Sequence, residues 1–530
     1  MKASVLLELN LTIFNSIKTL FLGTFFNMRK LLASLSLLAI VSGASAQSGY
    51  EIKINFKNCK DTMVFLAYYQ FDKSYLADTC KKVEKGNIVF KGKKPLDKGV
   101  YYLVSQGKSR YFDFFVDEKN QKMTITTDTA DMVKNLKSPT SKENDDFFNY
   151  IRFITNKNKE FVDLKTKTKG MNSKDSTAFI AEKAKALNEA VYNYETDFMK
   201  QHKDMFVADV INLKMEKEPK DIPKASNGRP DSLYIYNYYK THFWDGVNFQ
   251  DDGILRTPFF ADRVKKYFNN VIVQHPDTVS KEIDIMMGKT KQGSNMHKFL
   301  LAYFTPTYES SKMMGFDKVF VHMIDKYFRT GQAQGIYDDK TIEKIKERGD
   351  VLKPLLLGSQ APDLLMVDTA GHKLMQKLGF DTVKTSQGAT KLYYDNAQII
   401  TQNFTTLYNT KADYLMLVFW DVDCGHCQTE IPKLLEEYHA LKKEGYDIKS
   451  FSVYTQHDYE KYRKYIIEHK LDWMNVYDGV HINNIKEKYD IFSTPVIYIL
   501  DKDKRIKAKR IGTEQVKDII KQMEKEYKKK

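Results

Sequence analysis

The tetrapeptide Cys424-Gly425-His426-Cys427 constrains the fold of this chain more than any other feature. It follows the continuously apolar run Leu415-Met416-Leu417-Val418-Phe419-Trp420, which suits a buried parallel strand. After it, Ile431, Leu434, Leu435, Tyr438 and Leu441 recur at helical spacing. The cysteines therefore stand where a strand hands over to a helix N-terminus. Unpaired backbone N–H groups and the helix dipole favour an anion there, and a thiolate is one. Such a placement suits thiol–disulfide exchange. A zinc site needs about four ligands, and the other cysteines, Cys59 and Cys80, lie far away in sequence. Covalent haem attachment needs His directly after the second Cys, where this chain has Gln428. A purely structural disulfide is the remaining alternative.

With 530 residues the chain exceeds a single core, and two or three domains are expected. Residues 1–46 read as an export signal, with Met28 the better start. From there Arg29-Lys30 form a positive n-region, Leu31 to Val41 an apolar h-region, and Ala44-Ser45-Ala46 a small-residue cleavage site before Gln47. The alternative is an N-terminal anchor made of the two apolar stretches. No Cys follows the cleavage site, which argues against a lipid anchor. Export implies the periplasm or cell envelope, where disulfides persist. The formal net charge is +15, and residues 502–530 hold twelve Lys/Arg against five Asp/Glu. That basic end reads as a solvated helix face and frayed tail, with weak attraction to an anionic membrane surface as the second reading. An exported chain without a recognisable binding motif is not expected to take nucleic acid.

Three segments differ in grammar. Residues 47–135 read as a small antiparallel β-sandwich: Tyr50 to Phe56 alternates in period two, as do parts of Gly99–Val104 and Met123–Thr126, with turn signals between. Cys59 and Cys80 both fall here, the first in a turn and the second on a strand, and a structural bridge between them is an open question. If formed, its loop would stabilise the segment by ~3 kcal/mol. Residues 136–355 read as an all-α domain. Ile180, Ala184, Leu187, Val191, Tyr194 and Phe198 form one amphipathic stripe, and Phe147, Ile151 and Ile154 mark another. The aromatic stretches Tyr234–Tyr239 and Tyr267-Phe268 are assigned to core packing rather than to a ligand groove. His242, Asp245, Asp251 and Asp252 read as loop and cap residues. Residues 356–530 read as α/β with a mixed central sheet, since strand–helix alternation ends in a hairpin. Within it, residues 373–412 suggest an inserted loop or hairpin.

Several motifs carry resemblances. Leu76-Ala77-Asp78-Thr79, Lys85 to Gly92 and Asp113-Phe114-Phe115-Val116 resemble a β domain of unknown function that precedes thioredoxin-like domains in exported bacterial proteins. The helical segment is similar to another such family of unknown function. Gly358 to Asp363 followed by Asp368-Thr369-Ala370-Gly371 resembles the start of thioredoxin-fold domains of the peroxiredoxin and TlpA/ResA types. Phe419-Trp420, the C-x-x-C, Glu430-Ile431-Pro432 and Thr494-Pro495 together resemble the TlpA/ResA type of thioredoxin fold.

That resemblance implies a cis Thr494-Pro495 bond beside the cysteines, and a substrate chain bound by Thr494, Pro495 and Trp420. It implies Cys424 as nucleophile, Cys427 as buried resolving thiol, His426 as a group lowering the Cys424 pKa, and Glu430 as proton acceptor for Cys427. No cofactor is implied beyond the redox-active Cys424–Cys427 pair. The partners are protein thiols or disulfides and an upstream redox donor or acceptor. Gly-His between the cysteines resembles protein disulfide isomerase and implies a less reducing couple, within a span of about −270 to −180 mV. Two departures matter: Val418 stands where thioredoxin has a buried aspartate, and Asp423, directly before Cys424, should raise its pKa. Leu417 and Asp421 replace the Pro and Thr of the peroxiredoxin motif. The reading is therefore an exported thiol–disulfide oxidoreductase. The alternative is an envelope binding or scaffold protein whose β and helical domains carry the function.

Overall fold

The computed structural model describes residues 49–167, 173–219 and 221–528. The export signal read over residues 1–46, with its start at Met28, lies outside the described residues.

Seven strands open the described chain: β1 (Tyr50–Lys57), β2 (Val64–Gln70), β3 (Lys73–Cys80), β4 (Asn87–Gly92), β5 (Gly99–Val104), β6 (Arg110–Val116) and β7 (Lys122–Asp128). They form two sheets, β4-β1-β7 and β3-β2-β5-β6. Period-two alternation turns Ile52, Ile54 and Phe56 inward, where they share one core with Leu66, Phe90, Leu103, Phe114 and Ile125. All pairings are antiparallel except β1 with β7, which run parallel with Ile54 opposite Ile125. The reason is connectivity: β7 follows β6 of the other sheet and joins β1 by crossing over rather than by a hairpin. The turn before β4 needs its glycine. Gly86 has φ +79°, and a Cβ there would lie 2.1 Å from the Phe56 carbonyl oxygen.

The helical region contains α1 (Met132–Asn135), α2 (Lys142–Lys167), α3 (Ser173–Gln201), α4 (Phe206–Lys214), α5 (Ser232–His242), α6 (Phe260–Lys266), α7 (Pro276–Gly288), α8 (Asn295–Glu309), α9 (Asp317–Met323) and α10 (Asp339–Leu352). The stripe on α3 faces inward, with Phe198 buried and Tyr194 packed against the same core. Tyr267 and Phe268 are buried as expected, but α5, which carries Tyr234 to Tyr239, has no buried residue. Tyr239 packs against the core and Tyr234 is exposed, so the aromatic density there spans a half-exposed helix face and only its inner edge meets the core. Asp251 accepts from the Gly253 N–H at 2.8 Å, Asp252 from the Met296 N–H at 2.8 Å, and His242 contacts Asp245 at 2.6 Å, so the first two act as caps. The β and helical regions share packing: Phe71 lies 4.9 and 4.7 Å from the ring centroids of Phe299 and Tyr303.

The remaining elements are β8 (Leu365–Asp368), α11 (His372–Lys377), α12 (Ser386–Asp395), α13 (Ala397–Asn403), β9 (Thr405–Thr406), β10 (Tyr414–Trp420), α14 (Gly425–Lys443), β11 (Ile448–Tyr454), α15 (Tyr459–Glu468), β12 (Met474–Tyr477), α16 (Ile485–Lys488), β13 (Val496–Asp501), β14 (Ile506–Lys509) and α17 (Val516–Tyr527). The sheet order is β14-β13-β10-β11-β12-β8-β9, with β10, β11 and β12 mutually parallel and the rest antiparallel. The expected loop or hairpin over residues 373–412 is instead built of three short helices and the strand β9, which pairs antiparallel with β8. Met375, Ala389 and Ile400 are buried, and an apolar side is what holds that segment as helix rather than coil.

β10 is continuously apolar because both of its faces are covered. Met416, Val418 and Trp420 pack with Ile431, Leu434 and Tyr438 of α14. Leu415, Leu417 and Phe419 pack on the other face with Tyr489 and Tyr498. Among the described residues no helix is long and apolar enough to cross a membrane. Much of the basic C-terminal charge is paired: Lys517 and Lys521 with Glu444, Lys528 with Glu524, Lys509 with Asp317 and Arg510 with Asp490. Paired cations attract an anionic surface less than their number suggests.

Candidate redox site

β10 ends at Trp420, and Asp421 turns the chain. Its carboxylate accepts from the Asp423 N–H at 2.9 Å and from the Gln456 side chain at 2.7 Å. Cys424 follows as the N-cap of α14, with φ −89° and ψ 116° and no cap bond from its side chain. Its carbonyl accepts the first helical hydrogen bond, from the Gln428 N–H at 3.1 Å. The sulfur is therefore free of structural duty at the positive end of a helix of 19 residues.

Across from it, Thr494 precedes Pro495 through a cis peptide bond. The Cys424 thiol donates to the Thr494 carbonyl oxygen at 3.2 Å. Cys424 is half-buried, and burial alone pushes its thiol up. The Thr494 side chain, the Cys427 N–H and thiol and the His426 N–H outweigh that and hold it below the ordinary thiol range. Cys427, one turn further, is 1% exposed. Burial is the main cause of its pKa being pushed up to about 12. Both cysteines are free thiols. One helix turn thus holds an accessible, acidified sulfur beside a buried, protonated one.

The other expected site residues fare unequally. His426 is exposed and its imidazole makes no hydrogen bond among the described residues, so it is the backbone N–H that acts on Cys424. Glu430 is held by Lys433, whose Nζ lies 2.9 Å away, and that lowers its carboxyl below the usual range. Trp420 is fully buried, its ring 5.2 to 6.0 Å from those of Tyr454, Tyr462 and Tyr465. It cannot touch a substrate chain, because its place on β10 points it under α14 and α15.

Cys59 and Cys80 form no bridge in this structure. Cys80 donates to the Lys82 carbonyl at 3.3 Å, whereas Cys59 lies by Asp61 and Tyr111. Different neighbours hold the two sulfurs.

Sequence reasoning missed three neighbours of the site. Lys461 of α15 pairs with Asp423 at 3.0 Å, so the carboxylate before Cys424 carries its own counter-ion. Phe492, two residues before Thr494, is 82% exposed. Arg348 of α10 places its guanidinium 5.3 Å from the centroid of that ring. A lysine or arginine that becomes a neighbour only through tertiary structure leaves no local signal. Phe492 could have been noticed as a lone aromatic beside Thr494-Pro495. Among the described residues no group of three or more His, Cys, Asp or Glu is placed to hold a metal ion.

Three family models match the chain. Residues 50–147 match a domain of unknown function, DUF4369, residues 199–352 match a second, DUF5106, and residues 391–509 match the AhpC/TSA family. No curated protein matches. Among solved structures, one described as "a domain of possible thiol-disulfide isomerase" from Cytophaga hutchinsonii is 35% identical, covers 33% of this chain and 99% of its own, and has a TM-score of 0.26. A thioredoxin-like protein from Bacteroides caccae is 18% identical over 56% of this chain and 96% of its own, with a TM-score of 0.35. A thiol:disulfide interchange protein from a Bacteroides species is 24% identical over 31% of this chain and 88% of its own, with a TM-score of 0.23. The C-terminal region of this chain, built on the mixed sheet around β10, is a thioredoxin-like domain of the AhpC/TSA family, preceded by two domains of unknown function.

Proposed function

We propose that the chain is an exported thiol–disulfide oxidoreductase that exchanges disulfides with protein cysteines through Cys424 and Cys427. The observation that carries this reading is the contrast within one helix turn: Cys424 is accessible and held low, Cys427 is buried and pushed up to about 12. Nucleophilic attack needs a thiolate, and a resolving thiol must wait until its neighbour has reacted.

The Cys424 thiolate attacks one sulfur of a substrate disulfide and forms a mixed disulfide, and the other substrate sulfur leaves as a thiolate and takes a proton. Cys427 then gives up its proton and attacks the Cys424 sulfur. The second substrate thiol leaves and takes that proton, and Cys424–Cys427 becomes the disulfide. Two electrons pass from the pair to the substrate, and the reverse sequence oxidises a dithiol. The substrate chain lies extended along Thr494-Pro495. An upstream thiol donor or disulfide acceptor restores the pair, and no other cofactor is required. The Arg29-Lys30, Leu31–Val41 and Ala44-Ser45-Ala46 pattern supports export to the periplasm or envelope.

Trapping tests the scheme. Cys427→Ser should accumulate mixed disulfides with partner proteins, and Cys424→Ser should accumulate none. If both variants keep full activity in cells and neither traps a partner, the reading fails. Equilibration of the pair with glutathione should place its potential above about −270 mV, toward the isomerase end of the scale.

A further inference from the structure

We propose that Arg348, in the helical region, is a positioning residue for the redox site: it holds the start of the segment Asp490–Pro495, whose end sets Thr494 against Cys424. The proposal rests on the reading of Cys424 and Cys427 as an exchanging pair.

The Arg348 guanidinium grips the Asp490 carboxylate with both terminal nitrogens, Nη2 to Oδ2 at 2.9 Å and Nη1 to Oδ1. Asp490 has a side chain only 1% exposed and a backbone φ of +56°. A carboxylate buried that deeply depends on its cationic partners, and a bidentate guanidinium also fixes its orientation. Arg510, at the end of β14, binds the same carboxylate and donates to the Asp490 carbonyl at 2.8 Å. Asp490 is thus clamped between one arginine of the thioredoxin-like domain and one of the helical region.

From this clamp the chain has four residues to reach the redox pair. Ile491 is buried, and its N–H donates to the Lys486 carbonyl at 2.8 Å. Phe492 passes under the same Arg348 guanidinium, at 5.3 Å, an arrangement with cation–π attraction. Two residues on, the Thr494 carbonyl meets the Cys424 thiol at 3.2 Å. Arg348 therefore touches the segment twice, at Asp490 and at Phe492, from a helix outside the thioredoxin-like sheet. This gives the helical region a part in the chemistry that its own sequence does not suggest.

The test uses the full chain with Arg348→Ala, Arg348→Lys and, as a control, Arg329→Ala. Arg329 pairs with Asp325 and Asp350 in the same helical region. Three readouts are followed: the pH profile of Cys424 alkylation, kcat and KM for a peptide disulfide, and the glutathione equilibrium of the pair. Arg348→Ala should move the alkylation midpoint up by about half a pH unit and lower kcat/KM roughly threefold, as partial loss of the Thr494 side-chain contact that favours the Cys424 thiolate would. Arg348→Lys should recover part of the effect, since lysine restores the charge without the bidentate grip. Arg329→Ala should change none of the three.

A folded Arg348→Ala protein with the wild-type profile and equilibrium overturns the proposal, as does an equal shift from Arg329→Ala. If Arg348→Ala does not fold, Arg348→Lys decides: a smaller shift in the same direction supports the proposal, and no shift overturns it. Absence of exchange in the wild-type chain would instead sink the reading of the pair. The groups around Cys424 that these substitutions leave in place are the Asp423–Lys461 pair, His426 and Cys427.

Discussion

Cys59 and Cys424 are both half-buried thiols in one chain, yet their surroundings drive them in opposite directions. Burial pushes the Cys59 thiol up, and the nearby Asp61 charge adds to this. Burial pushes Cys424 the same way, but the Thr494 side chain and the N–H groups at the start of α14 overcome it. The partners of the two sulfurs diverge as well. Cys427 lies one turn from Cys424 on the same helix, whereas Cys80 ends β3 and donates to the Lys82 carbonyl. The comparison teaches that exposure does not make a thiol reactive. Donors aimed at the sulfur do when they outweigh burial: the Asp61 N–H and the Tyr111 side chain do not at Cys59, whereas Thr494, Cys427 and His426 do at the strand-to-helix junction.

The sharpest way to break this contrast is to remove each thiol in turn. Cys424→Ser should reduce dithiol–disulfide exchange to the uncatalysed rate in an insulin-reduction assay. Cys59→Ser and Cys80→Ser should each change that rate by less than about twofold, the usual range for a substitution away from a special site. Comparable losses from both pairs would mean that the β-sandwich thiols take part in exchange.

A smaller effect, read as a pH dependence, separates the two cysteines within the helix turn. Alkylation of the reduced chain near neutral pH should modify Cys424 alone, because its thiolate persists below the ordinary thiol pKa of about 8.5. The rate should fall only as pH drops through the lowered value. Cys427 should stay unmodified until pH approaches about 12. Stability follows with opposite signs. The raised pKa of Cys427 favours the reduced fold fully below about pH 8.5, and that contribution is lost as pH rises toward the folded value. The lowered pKa of Cys424 contributes above about 8.5 and is lost as pH falls through its folded value. Cys427→Ala should therefore flatten the alkaline loss of stability in a urea titration. An unchanged slope would show that the Cys427 thiol is less enclosed than its burial indicates.

How far such a site can be read from sequence depends on the range of the interactions that build it. The strand–cysteine–helix order was legible because β10 and α14 are local patterns, one continuously apolar and one of helical period. The roles expected of Cys424 and Cys427 came with the family resemblance, as did the cis Thr494-Pro495 bond, which the structure has. Trp420 was misjudged because a strand covered on both faces gives no clue to which side chains reach the surface. Glu430 was placed one turn from Cys427 correctly, but the position of Lys433 decided its carboxylate's partner. The parallel pairing of β1 with β7, and the helices over residues 372–403, depend on contacts that period-two and turn signals do not encode. Lys461 and Arg348 lie far from Cys424 in sequence, and only the fold brings them to it or to its neighbours.

The smallest predicted effect concerns Asp423, the carboxylate expected to oppose ionisation of Cys424. In the fold Lys461 meets it at 3.0 Å, with both side chains more than half exposed. Exposed pairs of this kind contribute little to stability, so Lys461→Ala should leave the unfolding midpoint nearly unchanged. Its effect should fall on Cys424, one residue away, where an uncompensated negative charge disfavours the thiolate. The alkylation rate of Cys424 at neutral pH should drop by about twofold at low ionic strength, and most of that loss should vanish near 1 M salt, where charges are screened within ~3 Å. Asp423→Asn in the Lys461→Ala background should restore the rate. A salt-independent loss that Asp423→Asn does not restore would mean that Lys461 acts through the packing of α15, and the electrostatic contrast between Cys424 and Cys59 would then rest on backbone donors and Thr494 alone.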